Sequence, residues 1–384
     1  MNKRSKPLDV LIIEPYHTGS HAAWADGYKN NSRHNVEVLA LEGRYWKWRM
    51  HGGAVTLARR FLKEGRNPDL ILATDMLDLT TFLALTRPVT ASIPTAVYFH
   101  ENQITYPWSP GDRDLSRGRD GHYGFINFSS ALAADRVFFN SRYHMGAFLA
   151  GLEGFLKGFP DYNEVPSVEL IRHKAAVLHV GMDFERLDRI SSQGDRSSNR
   201  APLILWNHRW EYDKNAGEFF KALYALMERG LDFEVAVLGE NFKNKPHEFD
   251  EARERLGKRV VHFGFVEDFA SYAGWLKTAD IIPVTSTHDF FGCSVIEAVY
   301  CGAFPLMPNR LAYPEHLPEE LHEKYLYEGF DDLVARLESA VVNIADTRGA
   351  SLKAHVERYG WRRLAPIYDV EMEETALRAG PVRG

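Results

Sequence analysis

The feature that most constrains this fold is an alternation of short β-branched runs and helix-length segments that fades into a polar tract and then restarts. Residues 9–13 (DVLII), 36–41 (VEVLAL), 70–73 (LILA), 95–99 (TAVYF) and 136–139 (RVFF) read as strands. Helical patterns begin near His21 and cover 54–63, 77–85, 121–134 and 142–159. Parallel strands need long crossovers, and helices between strands at this spacing predict a parallel sheet wrapped by helices. Residues 188–202 (DRISSQGDRSSNRAP) are polar, rich in Ser and Arg, and without apolar periodicity, as a linker is. Strands then recur at 203–206, 233–238, 258–263, 280–283 and 304–306, with helices at 216–229, 269–278 and 293–300. The pattern predicts an α/β chain of two Rossmann-like domains, 1–187 and 203–360, facing a central cleft. A C-terminal helix at 361–384 is placed to pack back on the first domain.

Composition narrows the function. A chain of 384 residues exceeds the roughly 150 of one ordinary domain. Two cysteines, Cys293 and Cys301, exclude a disulfide scaffold and fit a reducing compartment. Neither a CxxC pair nor a Cys/His cluster signals structural zinc. The net charge of −6 excludes a uniformly basic nucleic-acid binder and leaves room for a local basic patch. The apolar run at 10–13 is too short for a signal h-region, and 79–99 is broken by Arg87, Pro88, Pro94 and threonines. A cytoplasmic protein with no stable membrane insertion is expected.

Three stretches carry chemistry. In 287–302 (THDFFGCSVIEAVYCG) a loop with Asp289 leads into a helix near Gly292. A helix N-terminus presents free N–H groups and the positive end of the dipole, a glycine lets a ligand approach, and together they suit a phosphate. Glu297, inside that helix, can accept from ribose hydroxyls; the plainer alternative is a capped surface helix with a solvated glutamate. In 206–214 (WNHRWEYDK), Arg209 and Lys214 follow the first strand of the second half, where open α/β sheets bind ligands. Two cations there can neutralise a diphosphate, or form surface pairs with Glu211 and Asp213.

The third stretch, 44–66, sets seven cations, including Arg44, Lys47, Arg59 and Arg60, against one acid, with Tyr45, Trp46 and Trp48 interleaved. Cationic grooves with stacking aromatics hold single-stranded RNA, and Arg113, Arg117 and Arg119 extend such a patch. A solvated helix with tryptophans in the core, or an anionic membrane surface, fits the same pattern. His100 ends a buried strand beside Glu101, Asn102 and Gln103, as a reacting group or a hydrogen-bonded structural histidine. No GxGxxG fingerprint points to a dehydrogenase.

Arg209, Lys214, Gly239 after the VAVL strand, and Asp289 through Glu297 and Ala298 resemble the retaining GT-B glycosyltransferases of group 1. That signature is an acidic residue, seven residues and a glutamate; here the first acid is Asp, one methylene shorter than the usual Glu. Stretches 13–21 (IEPYHTGSH), 41–48 (LEGRYWKW), 74–78 (TDMLD), 99–107 (FHENQITYP) and 122–130 (HYGFINFSS) resemble the tRNA-queuosine α-mannosyltransferase family. The resemblance spans roughly residues 10 to 314. It implies a GT-B fold, a GDP-mannose donor, a queuosine-bearing tRNA acceptor and retention of configuration. It implies His100, Asp289 and Glu297 as the reacting set, and Arg209, Lys214, Gly239, Phe291, Gly292, Cys293, Ser294 and Glu297 around the donor. Gly19, Ser20, His21, Glu101, Asn102, Gln103, Arg44, Trp46, Lys47, Arg59 and Arg60 would serve the acceptor. No metal or resident cofactor is expected, because Asp75 and Asp78 lack DxD spacing and protein cations can hold the leaving diphosphate. A group-1 transferase with a lipid or polysaccharide acceptor is the alternative reading, and an inactive nucleotide- or tRNA-binding protein a second.

Overall fold

The structure is a computed structural model that describes residues 6–109, 112, 114, 121–191, 200–239 and 247–378. Much of the expected linker (192–199), with Arg113, Arg117 and Arg119, lies outside the described residues. The chain divides into two compact units, 1–182 with 361–384 and 183–360. The first unit ends at Met182 and not at 187, because helix Phe184–Arg189 packs into the second unit. There Phe184 stacks on Tyr300 at 3.8 Å and Asp188 accepts from the Tyr300 hydroxyl at 2.8 Å.

The first sheet contains β1 (Asp9–His17), β2 (Asn35–Glu42), β3 (Leu70–Thr74), β4 (Thr95–Phe99), β5 (Arg136–Phe139) and β6 (Ala175–Val177), all parallel, in the order β2-β1-β3-β4-β5-β6. β3 and β4 are buried along their whole length, which is why they read as unbroken apolar runs. β1 continues past residue 13 because Glu14 still pairs beside Ala40. Helix Trp46–Glu64 starts eight residues ahead of the expected 54, with Met50 already buried one turn in. Helix Trp361–Arg378 belongs to this unit, where Trp24 Nε1 donates to the Tyr368 hydroxyl at 2.9 Å.

The second sheet contains β7 (Leu203–Asn207), β8 (Glu234–Leu238), β9 (Val260–Gly264), β10 (Ile281–Pro283), β11 (Phe304–Pro308) and β12 (Leu326–Tyr327), in the order β12-β11-β10-β7-β8-β9. Its strands are also parallel. In each sheet the winding reverses once, between β1 and β3 and between β7 and β10. Crossovers part at such a point and leave a crevice beyond the carboxyl ends of the strands. Among the described residues, no helix is long and apolar enough to cross a membrane.

Candidate functional site

In the second unit the β7/β10 reversal gathers the predicted anion site. β7 delivers Asn207 and His208, and β10 leads to the loop of Asp289 and then to helix Cys293–Tyr300. Gly292 caps that helix at φ 87°, a left-handed conformation that glycine adopts readily, with the Tyr313 ring against its α-carbon. Asn207 Nδ2 donates to the Ser294 carbonyl at 2.8 Å and His208 Nδ1 lies 3.2 Å from Ser294 Oγ, which fixes the helix start against the strand end. Gly239, at the end of β8, passes so close to His208 that a β-carbon would overlap its carbonyl.

Lys214 is buried with its Nζ 3.1 Å from Asp213, 3.2 Å from Asp289 and 3.1 Å from the His288 carbonyl. Burial works against its charge, but Asp289 and Asp213 outweigh it and hold the ammonium above its ordinary range. Asp289 is held below the usual carboxylate range: burial opposes this, Lys214 drives it, and the Tyr313 hydroxyl donates to Oδ2 at 3.1 Å. Burial pushes His208 down to about 3, helped by Lys214, so it stays neutral. Arg209 is exposed and 3.2 Å from Glu211. Glu297 accepts from Tyr272 at 2.7 Å, and burial raises its carboxyl. Helix amides, a paired lysine, an arginine and two carboxylates can together bind a phosphorylated ligand and orient hydroxyls beside it. Phe291 is buried, and its carbonyl accepts from His316 at 2.7 Å. Burial pushes the Cys293 thiol up, so it is no nucleophile.

In the first unit, adjacent strand ends bring Glu14, Asp75 and His100 together, and helix Gly19–Asn31 adds His21. Gly19 and Ser20 are exposed in the first turn of that helix, but His21 is buried. His21 Nδ1 lies 3.0 Å from Glu14 Oε2 and its ring stacks on His100 at 4.1 Å. The ligating atoms of Glu14, His21 and His100 lie within 4.8 Å of one another, as a cation site would require. The rings are only 28° from parallel, however, so their in-plane lone pairs run alongside and do not converge. Asn102 is fully buried, and its Oδ1 accepts from the amides of Ile104 and Thr105, closing a turn. Gln103 Nε2 donates to Glu101 at 2.9 Å, and both remain half-buried at the strand end.

Three of the seven cations of the basic stretch form ion pairs among the described residues. Arg44 pairs with Glu42, Lys47 with Asp112 and Asp114, and Arg66 with Glu37 and Glu64. Arg60 donates to the Ala40 carbonyl. Trp46 turns inward against Tyr123, 5.1 Å between rings. Arg44, Tyr45, Trp48, Arg59, Arg60 and Lys63 are exposed. Acids from elsewhere in the fold thus offset part of the surplus charge, and Arg49, Arg59, Arg60 and Lys63 keep theirs.

Sequence reasoning read Asp213 only as a surface partner of the cations and missed Tyr272, His208 and Tyr313 around the donor-type site, and Glu14 and Asp75 beside His100. His208 was legible as the neighbour of Arg209 at a strand end. The tyrosines left no local signal, since each meets its carboxylate only across the fold.

Residues 9–182 match the family described as tRNA-queuosine alpha-mannosyltransferase N-terminal, and residues 201–346 match glycosyl transferases group 1. A tRNA-queuosine alpha-mannosyltransferase of Drosophila melanogaster is 35% identical over 317 residues, covering 81% of this chain and 82% of that one. A GDP-mannose-dependent alpha-(1-6)-phosphatidylinositol dimannoside mannosyltransferase of Mycobacterium tuberculosis is 30% identical over 113 residues, 29% of each chain. The crystal structure of Anabaena HepE in complex with UDP-glucose aligns over 97% of this chain and 100% of its own, with a TM-score of 0.65 at 15% identity. That likeness shows the fold, which is GT-B.

Proposed function

Because this chain belongs to the tRNA-queuosine α-mannosyltransferase family, we propose that it moves mannose from GDP-mannose to the queuosine nucleoside of tRNA, with retention of configuration. The observation that carries the donor half is the convergence of Lys214, Arg209, Asp289, Glu297 and the 292–294 amides at the β7/β10 reversal. Guanosine as the base and mannose as the sugar are supported by the Mycobacterium relative's name.

In this reading Lys214, Arg209 and the helix amides stabilise the charge that builds on the departing diphosphate, and such electrostatic stabilisation usually contributes most to catalysis of this kind. Asp289 engages sugar hydroxyls and Glu297 the ribose. His100 acts at the sugar's reacting carbon, as the family resemblance implies. The C1–phosphate bond breaks as the acceptor oxygen attacks the same face, and the phosphate oxygen takes the acceptor proton. Protein cations do the work of a divalent metal, and no resident cofactor takes part. Of the basic stretch, Arg59, Arg60 and Lys63, with Tyr45 and Trp48, are the exposed members offered to the anticodon region. The tRNA acceptor and two cysteines outside any disulfide, Cys293 and Cys301, fit a cytoplasmic protein.

Incubation with GDP-mannose and queuosine-containing tRNA, followed by nucleoside mass spectrometry, tests the reading. A nucleoside heavier by one hexose is expected. Its absence, with tRNA lacking queuosine modified instead or with GDP-mannose merely hydrolysed, overturns it.

A further inference from the structure

We propose that His21 is a positioning residue: paired with Glu14 and lying flat on His100, it holds that ring in place and uncharged. The inference rests on the reading of His100 as the group that acts at the donor sugar. Three strand ends and one helix turn build the arrangement. Glu14 is wholly buried in β1, and its Oε1 accepts from the Tyr16 amide at 2.7 Å. A buried carboxylate is costly unless a cation pairs with it. His21, one helix turn past the end of β1, supplies that partner at 3.0 Å.

His100 is gripped on several sides. The His21 ring covers one face at 4.1 Å, Trp24 meets it edge-on at 4.7 Å and Tyr98 at 4.8 Å. Its backbone N–H donates to Asp75 at 2.8 Å, and Asn140 donates to its carbonyl at 2.8 Å. Neither of its ring nitrogens, both buried, makes a hydrogen bond among the described residues, although Nδ1 lies 3.5 Å from Asp75 Oδ1. Orphaned buried nitrogens on a tightly held ring suit a group kept for a ligand.

The charges follow from this packing. The groups around His21 are Glu14 and Tyr16 from β1, Asp75 beyond β3, and His100 and Glu101 beyond β4. Burial disfavours the His21 cation, but Glu14 outweighs burial and carries His21 up to about 9. A second cation stacked on the first is then excluded: burial first, and the His21 charge next, hold His100 well below its ordinary range. Burial raises the carboxyl of Asp75 to about 7, so it offers His100 little counter-charge below that pH. An uncharged imidazole can hydrogen-bond a sugar hydroxyl without opposing the positive charge that develops at the reacting carbon.

The test joins a ligand-free measurement to a kinetic one. In isotope-labelled wild-type protein without substrate, ring resonances should show His21 protonated and His100 neutral from about pH 5.5 to 8. In His21→Gln the amide still reaches Glu14 but brings no charge, so His100 should take up a proton. If the uncompensated Glu14 carries His100 to about 7, kcat should fall by about tenfold more at pH 6 than at pH 8, one decade per unit by which the pKa exceeds the assay pH. GDP affinity should not change. A wild-type His21 that titrates near its ordinary value overturns the proposal whether or not His21→Gln folds. So does a loss of kcat that is equal at every pH. The ligand-free resonances need no substrate, so failure of the transferase reading would appear separately, as absent product from the wild-type protein.

Discussion

Lys214 and Arg209 carry like charges in unlike surroundings, and the difference decides what each substitution does. Lys214 is buried against Asp213 and Asp289, whereas Arg209 is exposed with Glu211 as its neighbour. Removing one partner of a buried ion pair costs about 3–5 kcal/mol, because the remaining charge is left uncompensated. Lys214→Ala should therefore lower stability by about 3 kcal/mol and weaken GDP binding by about one to two decades, the worth of a charge-assisted contact. Arg209→Ala should leave stability within about 0.5 kcal/mol and weaken GDP by about tenfold. Denaturant titration and calorimetry on both variants check this, and equal stabilities would refute the ion-pair role of Lys214. The sequence made Lys214, Asp289 and Glu297 legible, because a strand-to-helix loop and a helix start are local patterns. Their mutual geometry was not, since Lys214 meets Asp289 across 75 residues of chain. The acceptor residues were legible least well: chain counting made the 44–66 stretch strongly basic, and only the fold brings Asp112 and Asp114 onto Lys47.

At the level of elements, periodicity was a good guide wherever a strand is buried on both faces or a helix has one apolar stripe. β4, β5 and helices Phe269–Thr278 and Cys293–Tyr300 fall where the pattern put them. It failed at ends fixed by tertiary contacts. Helix Trp46–Glu64 begins at aromatic residues that read as a loop, because Trp46 finds Tyr123. The short β12 carried no pattern of its own, and β11 holds it in register. Helix Trp361–Arg378 shows how much such contacts matter. Its first residue, Trp361, lies against Gly27 and Gly181, where a β-carbon on either would overlap the indole. Further along, Asp369 accepts from Tyr28, Ser32 and the Arg33 amide. Gly27→Ala cannot be absorbed by a buried indole and should cost about 3 kcal/mol, as overpacking does. Hydrogen exchange should quicken first within 361–378, and a variant as stable as wild type would show that this helix is held by other contacts.

Taken whole, the molecule places oppositely biased histidines in its two units, so pH should act on them differently. In the first unit His21 is carried up to about 9: burial opposes this and Glu14 overrides it. A raised value in the folded state means that its contribution is complete below about pH 6.5 and is lost as pH climbs through 9. The shift corresponds to about 3 kcal/mol, most of it gone by about pH 8.5. Asp75, raised by burial, adds to the same trend at lower pH. In the second unit, burial followed by Lys214 pushes His208 down to about 3 and His288 down to about 4. Their folded forms refuse a proton that the unfolded chain accepts, so their contribution is complete above about pH 6.5 and falls away as pH drops. The Cys293 thiol, raised by burial, stays protonated in both states over most of this range. Raising pH from about 6.5 to 8.5 should therefore loosen the β1–β3–β4 core and leave the β7–β10 core unchanged. Lowering it from about 6.5 to 4.5 should loosen the β7–β10 core. Hydrogen exchange read by mass spectrometry, corrected for the intrinsic pH dependence of each amide, resolves the two cores peptide by peptide. Equal loosening of both cores at pH 8.5 would mean that the charge on His21 is not held by Glu14, and would remove the physical basis for an uncharged His100.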